Sequence, residues 1–161
     1  MENIPSVDLS DFLSGNEARK QKFIKEIGEA YEEIGFVAIS NHGIDKSLLE
    51  EMYGQVEAFY ALPLETKLKY DDSKGGGQRG YTGFGKEHAK DRNAGDLKEF
   101  WHFGQYVDDA DVLSDFYPPN RIVDELPRFN SAGKEIYAAL EIAGSKVLQA
   151  IALFLQLDEH Y

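Results

Sequence analysis

Gly35-Phe36-Val37-Ala38-Ile39-Ser40-Asn41-His42-Gly43-Ile44 decides the fold. Four apolar residues in a row, two of them β-branched, predict a strand covered on both faces. The Asn-His-Gly that follows tolerates left-handed backbone and Gly43 enters it freely, so the strand must end there in a polar turn. Helical spacing restarts at once in Ile44-Asp45-Lys46-Ser47-Leu48-Leu49. His42 reads as a turn residue that bonds backbone and not as a metal ligand.

On the amino-terminal side, Ile4-Pro5-Ser6-Val7-Asp8-Leu9 predicts a short edge strand, with Pro5 at its first position, where a missing N–H does no harm. Phe23, Ile24, Ile27, Ala30, Tyr31 and Ile34 form one apolar stripe on a helix from about Glu17 to Ile34, which Gly35 ends. On the other side, Leu48, Leu49, Met52, Val56, Phe59 and Tyr60 repeat the stripe. Leu62-Pro63-Leu64-Glu65-Thr66-Lys67 then breaks and restarts the helix, because Pro63 suits a first turn and not an interior. Residues 1–70 thus read as strand, helix, strand, helix.

Residues 71–97 form a glycine-rich polar loop, long enough to be suspected as a binding surface. Residues 98–106 read as an aromatic strand. Alternation sends Phe100, His102, Gly104 and Tyr106 to one face and Glu99, Trp101, Phe103 and Gln105 to the other. An acidic, proline-containing connection leads to a long helix over 128–156, with Phe129, Ile136, Leu140, Ala143, Val147, Ile151 and Phe154 on one stripe.

The 161 residues fit one domain that could bury roughly 70% of its unfolded surface. Lys and Arg number 17 against 29 Asp and Glu, a net charge of −12 that argues against nucleic acid and anionic membrane surfaces as partners. The absence of cysteine excludes disulfides, thiolate metal sites and a Cys nucleophile, and suits a reducing cytoplasm. Met1-Glu2-Asn3-Ile4-Pro5 carries neither a basic nor an apolar leader region, and the longest purely apolar run, Ala150 to Leu155, is too short to span a bilayer. The expectation is a soluble, cytoplasmic chain without a membrane partner.

Gly75-Gly76-Gly77-Gln78-Arg79-Gly80 matches the letters of a dinucleotide-binding loop, but no apolar strand precedes it and no helix opens at its last glycine. It reads as a flexible loop. Of the four histidines, His42, His88, His102 and His160, none has an acid two residues on, so the spacing that sets two metal ligands on one strand face is missing. His88 reads as a surface residue.

Taken together, Ile4–Leu9, Asn41-His42-Gly43-Ile44, Leu62–Lys67, and then Gly80-Tyr81, Gly85-Lys86-Glu87 and Asp96-Leu97-Lys98-Glu99-Phe100 resemble the amino-terminal part of the isopenicillin N synthase-like branch of the iron(II)- and 2-oxoglutarate-dependent oxygenases, bacterial type. The resemblance runs over nearly the whole chain in the right order. It implies an α+β fold, a helical amino-terminal region with a few strands of a double-stranded β-helix, or jelly roll, whose remainder is absent from this chain. It implies, for the full-length parent, an oxidoreductase that uses Fe(II) and 2-oxoglutarate on a small-molecule substrate.

The family's metal-binding His-x-Asp, its third histidine and its Arg-x-Ser lie in the carboxy-terminal half, and none of those patterns occurs here. The chain is therefore expected to be an amino-terminal part, inactive alone, with no catalytic residue, no metal ligand and no cofactor of its own. Its role would be to shape the substrate pocket, with the missing half or another protein covering its sheet edges. The alternative is a truncated, non-catalytic binding or regulatory module. Three residues are candidate substrate contacts. Arg79 could pair with a substrate carboxylate or be an exposed arginine. His102 could point into the barrel beside Phe100 or be a hydrogen-bonded core histidine. Tyr81 could line the same pocket.

Overall fold

The computed structural model describes residues 3–72, 77–87, 95–108 and 110–161. Gly75, Gly76 and His88 lie outside the described residues. The fold is α+β: β1 (Ser6–Asp8), α1 (Leu9–Phe12), α2 (Glu17–Glu33), β2 (Ala38–Ser40), α3 (Lys46–Tyr60), α4 (Leu64–Lys67) and a 3₁₀ turn (Leu68–Tyr70), followed by β3 (Gly80–Thr82), β4 (Phe100–His102) and α5 (Pro127–Phe154). Two compact units divide the chain: Met1–Asp45 with Ala138–Tyr161, and Lys46–Tyr137. They do not follow the order of the segments expected from the sequence, because the last helix contributes to both.

In the first unit β1 pairs in parallel with β2, Val7 opposite Ile39. Both strands pack on an aliphatic and aromatic core of Val7, Leu9, Phe12, Phe23, Ile24, Ile27 and Ala150, against which Val37, Ile39, Val147, Leu153 and Phe154 are laid. The Phe154 ring sits directly on Gly28, where a Cβ would come within 2.2 Å of it. Asp8 caps α1 by accepting the Ser10 N–H at 2.8 Å, and Asn16 caps α2 by accepting the Arg19 N–H at 3.2 Å. At the far end of α2, Gly35 takes a left-handed φ of 79° and its N–H returns to the Ala30 carbonyl.

The turn after β2 forms as its residues dictate. Asn41 and Gly43 take φ of 51° and 77°, and His42 Nδ1 accepts the Ile44 N–H at 3.1 Å. Asn41 Nδ2 donates to the second Asp8 oxygen at 2.8 Å, fastening the turn to the cap of α1. Hydrogen bonds from Ser10 and then Asn41 hold the Asp8 carboxyl below its ordinary pKa. The expectation of a strand buried on both faces does not hold. Val37 and Ile39 lean on the core, whereas Ala38 and Ser40 are exposed and Phe36 is 68% exposed. Among the described residues nothing covers that second face.

In the second unit β3 pairs antiparallel with β4, with Gly80 opposite His102, Tyr81 opposite Trp101 and Thr82 opposite Phe100. Phe59 of α3 is the hub of an aromatic cluster, with ring centroids 4.8 Å from Trp101, 5.2 Å from Phe129, 5.9 Å from Tyr81 and 6.4 Å from Tyr70. The strand expected over 98–106 pairs only at Phe100–His102. Beyond it the Asn120 side chain takes the place of a strand, donating to the Gly104 carbonyl and accepting the Gly104 N–H at 2.9 and 2.8 Å. Asn130 does the same for Val123, at 2.9 Å on both bonds. The long connection is irregular, yet its backbone is satisfied at these points.

Helix α5 runs through both units, its residues up to Tyr137 in the second and those from Ala138 in the first. By length and composition alone it could cross a membrane. The same composition suits a helix that packs, and Val147, Ala150, Leu153 and Phe154 join the first unit's core. Leu140, expected on the buried stripe, is 55% exposed.

Candidate functional site

The β3–β4 ribbon in the second unit presents two faces, and side chains paired across an antiparallel ladder share one of them. Tyr81 and Trp101 occupy the face that meets α3 and the start of α5, where Trp101 contacts Phe59 and Phe129. Gly80 and Thr82, with Phe100 and His102, occupy the other.

The inward face is built on a buried charge. Lys67, the last residue of α4, points its ammonium inward, donating to Glu99 Oε2 at 2.7 Å and to the Tyr60 carbonyl at 3.2 Å. The Tyr81 hydroxyl donates to the same Glu99 oxygen at 2.6 Å. The ammonium lies 5.5 Å from the Tyr81 ring centroid and 5.9 Å from that of Tyr60. With side chains only 9% and 17% exposed, Lys67 and Glu99 are a desolvated ion pair. Burial, and then the bond to Glu99, pushes the Tyr81 hydroxyl far above its ordinary pKa. Burial raises Glu99 too, but the Lys67 and Tyr81 bonds and the Lys67 charge outweigh it and leave the carboxyl below the usual range. The proton therefore stays on Tyr81. Nearby, the Tyr70 hydroxyl donates to Glu125 at 2.5 Å and accepts the Asp124 N–H at 3.0 Å. The Trp101 indole N–H is buried without an acceptor among the described residues.

The three expected substrate contacts do not converge. Tyr81 is fully buried on the inward face, so it does not share a pocket with His102, and the expectation of a common lining is corrected. Alternation explains this, since residues one apart on a strand point oppositely. Arg79 is not an exposed arginine: it is 7% exposed and lies flat on Gly104, whose added Cβ would fall 1.8 Å from its Cζ. Its guanidinium donates to the Pro118 carbonyl at 3.1 Å and the Gln78 carbonyl at 2.7 Å. His102 is exposed, its ring 4.8 Å from Phe100, with Nδ1 2.8 Å from the Gly77 carbonyl. A carbonyl oxygen only accepts, so Nδ1 donates this bond. The histidine is hydrogen-bonded at a surface and not in a core.

Among the described residues no three His, Asp or Glu side chains are grouped to hold a metal ion. These side chains do not fit an iron centre, and no step through one is assigned to them. Lys67 and Asn120 are the structural residues that sequence reasoning passed over. A signal for Lys67 was present: alternation puts the charged Glu99 among Trp101 and Phe103, and a carboxylate on an aromatic face demands a cation.

The family described as non-haem dioxygenase in morphine synthesis, N-terminal, matches residues 4–125. A 1-aminocyclopropane-1-carboxylate oxidase from Dictyostelium mucoroides is 31% identical over 168 residues, which cover 100% of this chain and 45% of the relative. A 2-oxoglutarate-Fe(II) type oxidoreductase from Emericella nidulans is 28% identical, with 98% and 47% covered. The crystal structure of a 2OG-Fe(II) oxygenase family protein from Caulobacter crescentus superposes with a TM-score of 0.86 at 34% identity, with 99% of this chain and 51% of that one covered. The chain spans about half the length of the relatives it matches. It belongs to the non-haem dioxygenase amino-terminal family, and its relatives include 2-oxoglutarate/Fe(II) oxidoreductases.

Proposed function

We propose that these 161 residues are the amino-terminal half of a non-haem iron(II), 2-oxoglutarate-dependent oxygenase that acts on a small molecule in the cytoplasm, without nucleic-acid or membrane partners. Fe(II) and 2-oxoglutarate are held by the part of the protein that relatives possess beyond this length. The observation that carries the proposal is the division of the β3–β4 ribbon. One face is spent on anchoring the helices through Lys67, Glu99 and Tyr81, and the other offers Phe100 and an exposed His102. On this reading His102 hydrogen-bonds the substrate through Nε2, and Phe100 supplies an apolar wall. Arg79 acts one step back, holding the end of the strand by its contact with Gly104.

Both sheets are two-stranded among the described residues, so each leaves backbone edges to be covered. The exposed Leu140, Ile142 and Leu148 of α5 need cover too. The further length found in relatives supplies it in the proposed enzyme. These same surfaces favour the second reading, a binding or regulatory module covered by another protein. The test is to express the reading frame with whatever follows codon 161 and assay iron(II)-dependent conversion of 2-oxoglutarate to succinate. Turnover by the extended protein and none by residues 1–161 supports the enzyme. A stop codon after Tyr161, with a stable complex recovered from the native host, supports the module instead.

A further inference from the structure

In the second unit a cavity of about 430 Å³ opens between the end of the β4 segment, the irregular connection and the first turns of α5, and neither Phe100 nor His102 is among its described lining residues. Its walls are apolar: Phe103, Tyr106, Ile122 and Pro127. Its charged groups are both cationic, Arg121 and Lys134, and no Asp or Glu is among its described lining residues. That sign runs against a chain carrying −12.

The two cations differ in how they are held. Arg121 is tied through one nitrogen to the buried Asp72, at 2.5 Å, which fixes its place and largely offsets its charge. Among the described residues Lys134 has no carboxylate partner; its ammonium rests 5.6 Å from the centroid of the Tyr106 ring. An ammonium seated on an aromatic face keeps its outer hydrogens for another acceptor. Asn130, also at the cavity, is committed to the Val123 backbone and does not compete for a ligand. The volume suits a single small molecule, and the lining of apolar walls with a few polar groups is that of ligand pockets in general.

We propose that this cavity binds a small carboxylate with an aromatic or similarly apolar body, its ring between Phe103, Tyr106 and Ile122 and its carboxylate on Lys134. The site uses neither Phe100 nor His102 and stands whether or not the proposal made for them holds.

The test uses the 161-residue chain and two matched probes, benzoate and the neutral benzyl alcohol, titrated against ¹H–¹⁵N amide spectra. Benzoate is expected to give saturable shifts at Phe103, Tyr106, Ser131 and Lys134, and to bind roughly tenfold more tightly than benzyl alcohol, as one charge-assisted contact implies. Lys134→Met should weaken benzoate by about the same factor and leave benzyl alcohol unchanged. Equal binding of the two probes, shifts centred elsewhere, or no saturable shift with benzoate would overturn the proposal. The wild-type comparison decides the matter even if the variant folds poorly.

Discussion

The β1–β2 pair rests on an apolar core, and its polar bonds lie toward the surface: Asp8 caps α1 and accepts from Asn41, and His42 closes the turn on the Ile44 N–H. The β3–β4 pair is held the other way about, over a buried Lys67–Glu99 pair that shares an oxygen with Tyr81 inside an aromatic cluster. Both are ribbons of three-residue strands. The first can lose a polar contact to water at little cost. The second cannot, because a charge stranded in its interior has no water to turn to.

The largest effect should come from the hub of the second unit. Phe59→Ala removes a ring in contact with four others besides Tyr60 and should cost about 4 kcal/mol in urea unfolding, read from the fluorescence of the single tryptophan, Trp101. Lys67→Met comes next, at about 3 kcal/mol, since it leaves Glu99 buried without its cation. The double variant Lys67→Met with Glu99→Leu should regain most of that loss, and a double variant as unstable as the single one would break the contrast between the two ribbons.

Acid sharpens the same contrast. Glu99 has a lowered pKa in the fold, so its stabilisation is complete above the unfolded carboxyl value of about 4.3 and is lost as pH falls through the lower, folded one. Glu99→Gln should make stability fall less steeply with acid in that window, where Asp8 and Glu125 keep their own share of the slope. In the first unit, Gly43→Ala meets no atom within 4 Å and costs only the strain of φ 77°, about 1 kcal/mol by melting. Asp8→Ala should lower the melting temperature by less than Lys67→Met does.

Much of the first unit was legible because its signals are local. The stripe from Phe23 to Ala30, the stop at Gly35 and the Asn41–Gly43 turn each follow from a residue's own backbone preference or from helical period. The exposed outer face of β2 was not legible, since a run of apolar residues does not say which neighbours are present. The long helix, which runs through both units, and the alternation of residues 99–103 in the second were clear. The shared pocket assigned to Tyr81 and His102 failed by one residue of alternation, although Glu99 beside Trp101 already marked the inward face. Arg79 on Gly104 and Asn120 in place of a strand depend on contacts between segments far apart in sequence, which no local pattern carries.

The central claim is that Tyr81, on one face of the β3–β4 ribbon, holds the fold, and that the exposed His102, on the other, does not. Urea unfolding of Tyr81→Phe and His102→Ala, followed by Trp101 fluorescence, tests it most directly. The account predicts a loss of about 1–2 kcal/mol for Tyr81→Phe, which leaves Glu99 short of a donor, and a change within about 0.5 kcal/mol for the exposed His102→Ala. The reverse order, with His102→Ala the more damaging, would contradict it.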